Sequence, residues 1–428
     1  MSETTASPEN PPLAPLRERH ALTFVVVTIF IDAMGFGFIM PVLPRLLMRV
    51  GQLDLAQAID ISTWMGLGTA VAAFMAAPFL GNLSDAYGRR IVLLVAVGGL
   101  AANYFLLAIS DSLTLLIVSR IFTGFFGGSF GPAQAAIADI TRPEDRARNF
   151  GKVGAAFGVG FVVGPALGGL LATFGQQAPF YGAFVLALAN FLYGLFVFPE
   201  TLALANRRSF KFSRANPLGA FRAAQAIPGM LRAALVLLLW QVAGLVYPQI
   251  WSFWCIAQLG WSDRMIGFSL GLVGLAIATS QMCFTGLAVR KLGERGAATL
   301  GITLASTGFV AYAFTSSGVI ALLLIICVAG QALIQPSLMA IMSRRATERT
   351  QGEVQGIAAM STGFAAMLAP LVFNKPMAWF TSDAAPVYFP GVAFAIAACF
   401  GIAAVITLRT MPRATAYRPF GVEPETVN

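Results

Sequence analysis

Two charged residues, Asp32 and Arg120, lie deep within long apolar stretches of this sequence. A carboxyl group can bind or release a proton at ordinary pH, whereas an arginine stays charged. Pairing with Arg120 would favour the ionised acid, and separation from it in an apolar cavity would favour the protonated acid. The two residues are therefore candidates for coupling proton uptake to a conformational change. The alternative is a static ion pair that holds two helices together.

The stretches that contain these residues recur along the whole chain. It has 428 residues, of which 57% are hydrophobic and 11% are charged, and its mean hydropathy is +0.76. A helix needs about 20 apolar residues to cross a hydrocarbon core of about 30 Å. We predict an all-α membrane protein with twelve transmembrane helices, at 21–46, 61–80, 91–109, 113–138, 150–174, 178–198, 233–257, 264–288, 297–315, 318–342, 355–378 and 386–408.

The depth of the two charges supports a functional role. At about 1.5 Å per residue, Asp32 lies about 15 Å inside the first span, and the depth of Arg120 differs from it by about 5 Å. They are the only two charged residues well inside the predicted spans. A carboxylate at this depth is costly and is by default functional.

The basic residues collect in the loops on one side of the predicted membrane, which indicates a multi-pass protein of the cytoplasmic (inner) membrane with both termini in the cytoplasm. The same distribution accounts for the net charge of +9 and excludes nucleic-acid binding. A β-barrel is excluded because alternating segments of about 10 residues are absent. The longest loop is a linker (199–232) that joins a first six-helix half (21–198) to a second six-helix half (233–410). We expect a disordered tail (1–20) before the first half and a C-terminal tail (411–428) after the second.

The two halves repeat one another at a constant offset of 205 residues. The repeated residues are Gly81, Gly88, Arg90, Gly151 and Pro165, which recur as Gly286, Gly293, Arg295, Gly356 and Pro370. Chance similarity among apolar helices is the alternative. Duplicated halves joined by a long linker are typical of a transporter that binds its substrate near the midplane and rocks one half against the other.

The loop after the second span, GNLSDAYGRR at 81–90, resembles the G-x-L-a-D-r-x-G-R-r loop of the major facilitator superfamily. The resemblance implies the twelve-helix fold of that family and a cytoplasmic gate, in which Asp85 faces the start of span eleven and Arg89 pairs with Asp139. The gate residues are Gly81, Asp85, Gly88, Arg89, Arg90 and Asp139. The alternative is a solvated turn with basic residues that only set the orientation.

The fifth span contains GFVVGPALGG at 160–169, which resembles the GxxxGPxxGG motif of the antiporter branch of the superfamily. The motif residues are Gly160, Gly164, Pro165, Gly168 and Gly169. Small residues let helix backbones approach closely, and the resemblance implies that this surface seals span five against the other half and disfavours proton leak. Generic packing is the alternative.

Arg120 and Gly124 resemble the R-x-x-x-G segment of proton-coupled members.

Three segments, DAMGFGFIMPVLP at 32–44, IAD at 137–139 and WSDRMIGFSL at 261–270, resemble those of the tetracycline/proton antiporters, and the resemblance to this subgroup extends over residues 20–410. This resemblance implies a proton-coupled secondary transporter for multidrug efflux and antibiotic resistance, which exports a small amphiphilic drug or drug-like compound by alternating access. The chain has Asn103, Ile277 and Ala305 where that subgroup has an acid, a histidine and an aspartate. We therefore expect a different substrate, uncharged or cationic. A proton-coupled importer of a metabolite or nutrient is the alternative.

Uncharged polar and aromatic residues within the spans are candidates for lining a substrate cavity: Asn103, Gln134, Gln241, Gln249, Trp251, Trp254, Gln281, Gln331 and Gln335. Hydrogen bonding between helices is the alternative for each. No catalytic or metal site and no cofactor is expected, because the only histidine is His20 in the tail and an embedded enzyme would need a catalytic dyad at membrane depth. The expected partners are a small-molecule substrate, protons and the lipid bilayer, and the expected state is a monomer.

Overall fold

The computed structural model describes residues 15–142, 145–210, 227, 229–346 and 350–412, without the side chains of 15–17 and 147. Twelve helices of this part are long and apolar enough to cross a membrane. In chain order, spans 1 to 12 are Glu18–Ile39, Leu55–Tyr87, Arg89–Ala108, Leu113–Ile140, Arg148–Phe174, Ala178–Val197, Met230–Leu259, Asp263–Cys283, Thr285–Phe314, Gly318–Ser343, Gln351–Phe380 and Val392–Thr410. The predicted all-α fold is confirmed.

An even number of spans places both ends of the described chain on one side, here called the termini face, and the opposite side is called the far face. The helix of span 1 is Pro15–Ile39, so it begins before the predicted boundary at 21. The remaining residues assigned to the tail, 1–14, lie outside the described part, as do half of the linker (211–226 and 228) and 413–428.

Several spans are interrupted, and the 3₁₀ segments of spans 4 and 10 lie at corresponding places in the sequence repeat. Span 4 consists of Leu113–Phe126, a 3₁₀ turn at Gly127–Ser129 and Phe130–Ile140. Span 10 consists of Gly318–Leu323, Ile325–Val328, a 3₁₀ segment at Ala329–Leu333 and Ile334–Ser343. Span 7 breaks between Met230–Gly244 and Val246–Leu259. Span 11 contains a π-helical segment at Pro370–Asn374 between Gln351–Ala369 and Lys375–Phe380.

The ends of span 2 show how local sequence sets the boundaries. Asp54 accepts a hydrogen bond of 2.8 Å from the backbone of Gln57, whose side chain accepts one of 3.1 Å in return, which forms a capping box at the start of the helix. The helix ends at Gly88, which has a φ of 109°. Only glycine adopts this backbone conformation without strain, so span 3 can begin at the next residue.

The two halves are joined mainly toward the far face. Arg45 forms an ion pair with Asp263, and the Lys375 ammonium lies 2.5 Å from the Asp60 carboxylate. Near the membrane middle, span 5 packs against span 8 and span 2 packs against span 11. On the termini face, by contrast, a Cβ added at Gly81, Gly151, Gly286 or Gly352 would meet nothing within 4 Å. The halves are thus closed at the far face and open around these positions.

Candidate functional site

Asp32 lies in the middle of span 1, beside the 3₁₀ turn of span 4. Its Oδ2 accepts a hydrogen bond of 3.0 Å from Ser129 Oγ, and Ser129 is buried. The Tyr104 hydroxyl of span 3 packs against Gly35, which is one helical turn after Asp32. The acid is therefore held at the point where spans 1, 3 and 4 of the first half meet.

Arg120 lies on span 4 and is not paired with Asp32. Among the ion pairs of the described residues, none joins these two side chains, and Arg120 Nη1 is buried without a hydrogen-bond partner. Arg120 lines a cavity of about 50 Å³ between the halves, together with Phe36 and Gln249. The alternative of a static ion pair between Asp32 and Arg120 is therefore wrong in this conformation.

The predicted gate residues form a network at the termini face. The buried Arg89 side chain donates to Asp85 at 2.5 Å and to Asp139 at 3.0 Å, so the pairing with Asp139 is present. The predicted approach of Asp85 to the start of span 11 is not among the contacts of the described residues, and 347–349 lie outside that part. Because the halves are parted around Gly81 and Gly352, the network links spans 2, 3 and 4 within the first half only.

A carboxylate that the sequence analysis missed, Glu200, completes this network. Its Oε1 accepts a hydrogen bond of 2.8 Å from the Arg89 backbone, and its Oε2 accepts one of 3.4 Å from the Arg90 backbone. An acid at this place satisfies free N–H groups and the positive end of the helix dipole at the start of span 3. Arg90 donates through its guanidinium to the Leu195 carbonyl at 2.7 Å. The signal in the sequence was an acid directly after span 6.

The glycine motif of span 5 packs in two directions. Gly160, Gly164 and Gly168 face span 1, and a Cβ added at Gly164 would lie 2.6 Å from the Met34 carbonyl oxygen. Gly169 faces span 8 of the other half, where an added Cβ would lie 2.7 Å from the Asp263 carbonyl oxygen. The Pro165 carbonyl touches Gly267 of span 8. The motif therefore permits close backbone crossings both within the first half and between the halves.

Two of the predicted cavity residues, Gln241 and Gln281, line one cavity. It has a volume of about 350 Å³ and lies in the second half between spans 7, 8 and 10. Two further residues of the predicted set, Gln331 and Gln335 of span 10, complete its lining with Trp240. Their spacing of four residues places them on one helix face.

The assignment of Trp251 and Trp254 to the substrate cavity is wrong. Both side chains are fully buried among the rings of Tyr312 and Phe394, and Trp251 Nε1 donates to Ser269 Oγ at 2.9 Å. The two tryptophans belong to the aromatic core of the second half. Packing among other rings removes more of their surface from water than a place on the wall of an open cavity would.

Asn103 is also misassigned, since it is buried between spans 3 and 4 and donates to Thr123 Oγ1 at 2.8 Å. Gln134 is half-buried on span 4. Helical periodicity shows which residues share a face, but it does not show whether that face meets the cavity or a neighbouring helix.

Comparisons with known proteins agree with this architecture. The family model described as Major Facilitator Superfamily matches residues 25–370. The class C tetracycline resistance protein of Escherichia coli is 36% identical over 83% of this chain and 89% of its own length. The class B protein of Escherichia coli is 32% identical over 82% and 86%. The solved nucleoside transporter NupG superposes with a TM-score of 0.73 at 14% identity, over 91% of this chain and 98% of its own, which supports the fold alone.

Proposed function

Since the chain belongs to the Major Facilitator Superfamily, we propose that it exports small amphiphilic, drug-like molecules in exchange for protons, by alternating access. The two resistance proteins above, at 32% and 36% identity over most of the chain, support export. They weigh against the alternative of a proton-coupled importer with the same fold. The distribution of basic residues supports a cytoplasmic termini face and a location in the cytoplasmic membrane.

With that orientation, the structure corresponds to an inward-facing state. The ion pairs Arg45–Asp263 and Lys375–Asp60 hold the outer ends of the halves together. The space near the cytoplasmic glycines Gly151 and Gly352 is open. Release of substrate to the outside requires these outer pairs to break and the cytoplasmic ends to close, which is a rocking of one half against the other.

The observation behind proton coupling is that Asp32 is bound to Ser129 and separated from Arg120. A carboxyl group without a cationic partner is cheaper to bury neutral than charged, and an unpaired guanidinium offers an ion pair to a carboxylate that reaches it. We infer that the protonated acid is held by Ser129 in this state. When span 1 moves against span 4, Asp32 releases its proton and pairs with Arg120 instead.

The test replaces Asp32 by asparagine, which keeps the size of the side chain but cannot titrate. In inverted membrane vesicles with an imposed pH gradient, Asp32→Asn should lose accumulation of tetraphenylphosphonium by about 100-fold or more. It should still exchange the probe down its own gradient and melt at a temperature close to that of the unchanged protein. A stable Asp32→Asn protein that still accumulates the probe against its gradient would contradict the assignment.

The substrate is expected to differ from magnesium-bound tetracycline. The three polar positions that distinguish the tetracycline subgroup are occupied here by Asn103, Ile277 and Ala305. Asn103 is already bonded to Thr123, Ile277 lines the glutamine cavity, and Ala305 is fully buried. None of these side chains offers a charged atom to a chelated ligand, and the one oxygen acceptor among them, Asn103 Oδ1, is buried between spans 3 and 4.

A further inference from the structure

The cavity of the second half concentrates amide groups without any charge. Its described lining consists of Trp240, Gln241, Ile277, Gln281, Gln331, Ala332, Gln335 and Pro336. Each glutamine offers one carbonyl acceptor and two N–H donors. Four such side chains from three helices converge on one space of about 350 Å³, which suits the polar part of a small molecule.

One of these amides lacks a partner in the unliganded protein. Gln331 Nε2 is buried and has no hydrogen-bond partner, whereas Gln241 donates to Thr362 Oγ1 at 2.7 Å. Leaving a buried donor unpaired costs free energy, so such a group indicates that a ligand acceptor belongs there. Gln331 also sits in the 3₁₀ segment Ala329–Leu333, an irregular winding of the kind found at functional positions in helices.

The first half presents a different surface, a series of phenylalanine rings on spans 1, 4 and 5. Phe36, Phe161, Phe157 and Phe130 follow one another with ring centroids 6.2 to 6.3 Å apart. Phe36, Phe157 and Phe130 are between 40% and 46% exposed. Phe36 lines the small cavity between the halves together with Phe253 and Gln249 of the second half. This row, here called the phenylalanine ladder, therefore reaches the cleft.

The sequence repeat shows that the two surfaces are complementary rather than equivalent. The positions 205 residues before Gln241, Gln281, Gln331 and Gln335 hold Phe36, Ala76, Phe126 and Phe130. Each amide of the second half thus corresponds to a hydrocarbon side chain of the first. A molecule that spans the cleft would meet rings on one side and amides on the other.

We propose that the four glutamines form the subsite for an uncharged, multiply hydrogen-bonding group of the exported molecule, with the phenylalanine ladder receiving its aromatic or aliphatic part. This inference rests on the proposed export function and adds its substrate class. Amides recognise carbonyl, amide and hydroxyl groups by hydrogen bonds, and they provide no net charge that would select an ion.

The test compares two probes on the purified full chain. Chloramphenicol is an uncharged aromatic amide with two hydroxyl groups, and tetraphenylphosphonium is an aromatic cation without hydrogen-bonding groups. Calorimetric binding of chloramphenicol should weaken by about fivefold in Gln331→Leu and by about twentyfold in the double variant Gln331→Leu/Gln335→Leu, since a lost hydrogen bond typically changes affinity by about fivefold. Binding of tetraphenylphosphonium should stay within about twofold.

Three further variants separate this subsite from general effects. Gln258→Leu should leave both affinities unchanged, because Gln258 donates to the Thr315 carbonyl at the far face, away from the cavity. Phe157→Ala should weaken both probes. Gln331→Glu keeps the shape and adds a negative charge, so it should tighten binding of tetraphenylphosphonium and weaken that of chloramphenicol. Melting temperatures without ligand show whether each variant is folded.

The proposal is overturned if chloramphenicol does not bind the unchanged protein, or if the glutamine variants weaken both probes equally or neither. The export function is judged separately, by transport of tetraphenylphosphonium driven by a pH gradient. Selective loss of chloramphenicol binding without such transport would uphold the subsite and overturn export. Transport without selective loss would uphold export and overturn the subsite.

Discussion

Each half has an ion pair at the same point of the fold, but the positions of the acid and the base are exchanged between the two halves. In the first half, Arg89 at the start of span 3 binds Asp139 near the end of span 4. The residues 205 positions later, Glu294 and Arg344, form an ion pair of 2.8 Å between spans 9 and 10. Equivalent positions of the two halves therefore carry opposite charges, which would attract one another where these ends approach.

The difference extends into the membrane. The positions 205 residues after Asp32 and Arg120 hold Leu237 and Ile325, so the titratable site exists in the first half only. The glutamine cavity lies in the second half. Under the proposed function, the two similar halves differ in chemistry, with proton binding assigned to the first and hydrogen-bonding recognition to the second. Four predictions test these differences between the two halves.

The largest effect is expected at the glycine motif, which the second half does not keep. Gly164→Leu should reduce transport by about 100-fold or more, because its side chain would collide with the Met34 backbone of span 1. Gly158→Leu on the same helix is the matched control, since an added Cβ there meets nothing within 4 Å. Equal transport rates in vesicles that contain equal amounts of the two variants would contradict the role of the close crossing.

Replacement of the unpaired guanidinium should separate stability from function. Arg120→Met removes a buried group without a partner, so the melting temperature should stay equal or rise, while proton-driven transport should fall by about tenfold or more. Ile325→Met, at the corresponding position of the second half, should change neither quantity. A lower melting temperature in Arg120→Met would show that Arg120 has a stabilising partner.

The reversed ion pairs should differ in strength. Arg89→Ala breaks a buried network with two acids and should destabilise the protein by about 3 kcal/mol. Glu294→Ala should cost less than about 1 kcal/mol, because its partner Arg344 is 72% exposed. Denaturation in mild detergent measures both.

The double exchange Glu294→Arg/Arg344→Glu should keep stability but slow transport, and undiminished transport would argue against attraction between the cytoplasmic ends.

The smallest effect is expected at the far face, where each half contributes one acid and one base. Lys375→Gln removes an ion pair whose side chains are 39% and 42% exposed, so the population of the inward-facing state should fall by about two- to threefold at most. Labelling of a cysteine introduced in the cytoplasmic cleft measures this population. High salt should reproduce the effect in the unchanged protein but not in Lys375→Gln.

The sequence was sufficient for the spans and for contacts that a motif specifies. Hydropathy predicted twelve helices, and the loop pattern implied the contact between Arg89 and Asp139, which is present at 3.0 Å. Hydropathy determines depth along a helix but not the direction in which a side chain points. For this reason the similar depths of Asp32 and Arg120 did not reveal that the two are separated.

The same limit explains the misassigned tryptophans and the missed Glu200. Whether Trp251 meets the cavity or Tyr312 depends on how spans 7, 9 and 12 rotate about their axes, which is decided by packing between distant segments. Glu200 is separated from Arg89 by more than a hundred residues, so only the folded chain shows that it caps span 3. Gln331 and Gln335 were visible as a pair, but the cavity that makes them important is formed by three helices.

The 3₁₀ segments in spans 4 and 10 are places where a change of helical winding would rotate and shift the rest of the span. A residue in a 3₁₀ helix advances by about 120° and 2.0 Å, against about 100° and 1.5 Å in an α-helix. Rewinding Gly127–Ser129 into an α-helix would therefore rotate Phe130–Ile140 by about 60° and draw it in by about 1.5 Å. Such a rotation would carry the Ser129 hydroxyl away from Asp32 and turn Phe130 relative to the cleft. The winding of one short segment would thereby link the acid proposed to bind the proton to the surface proposed to meet the substrate.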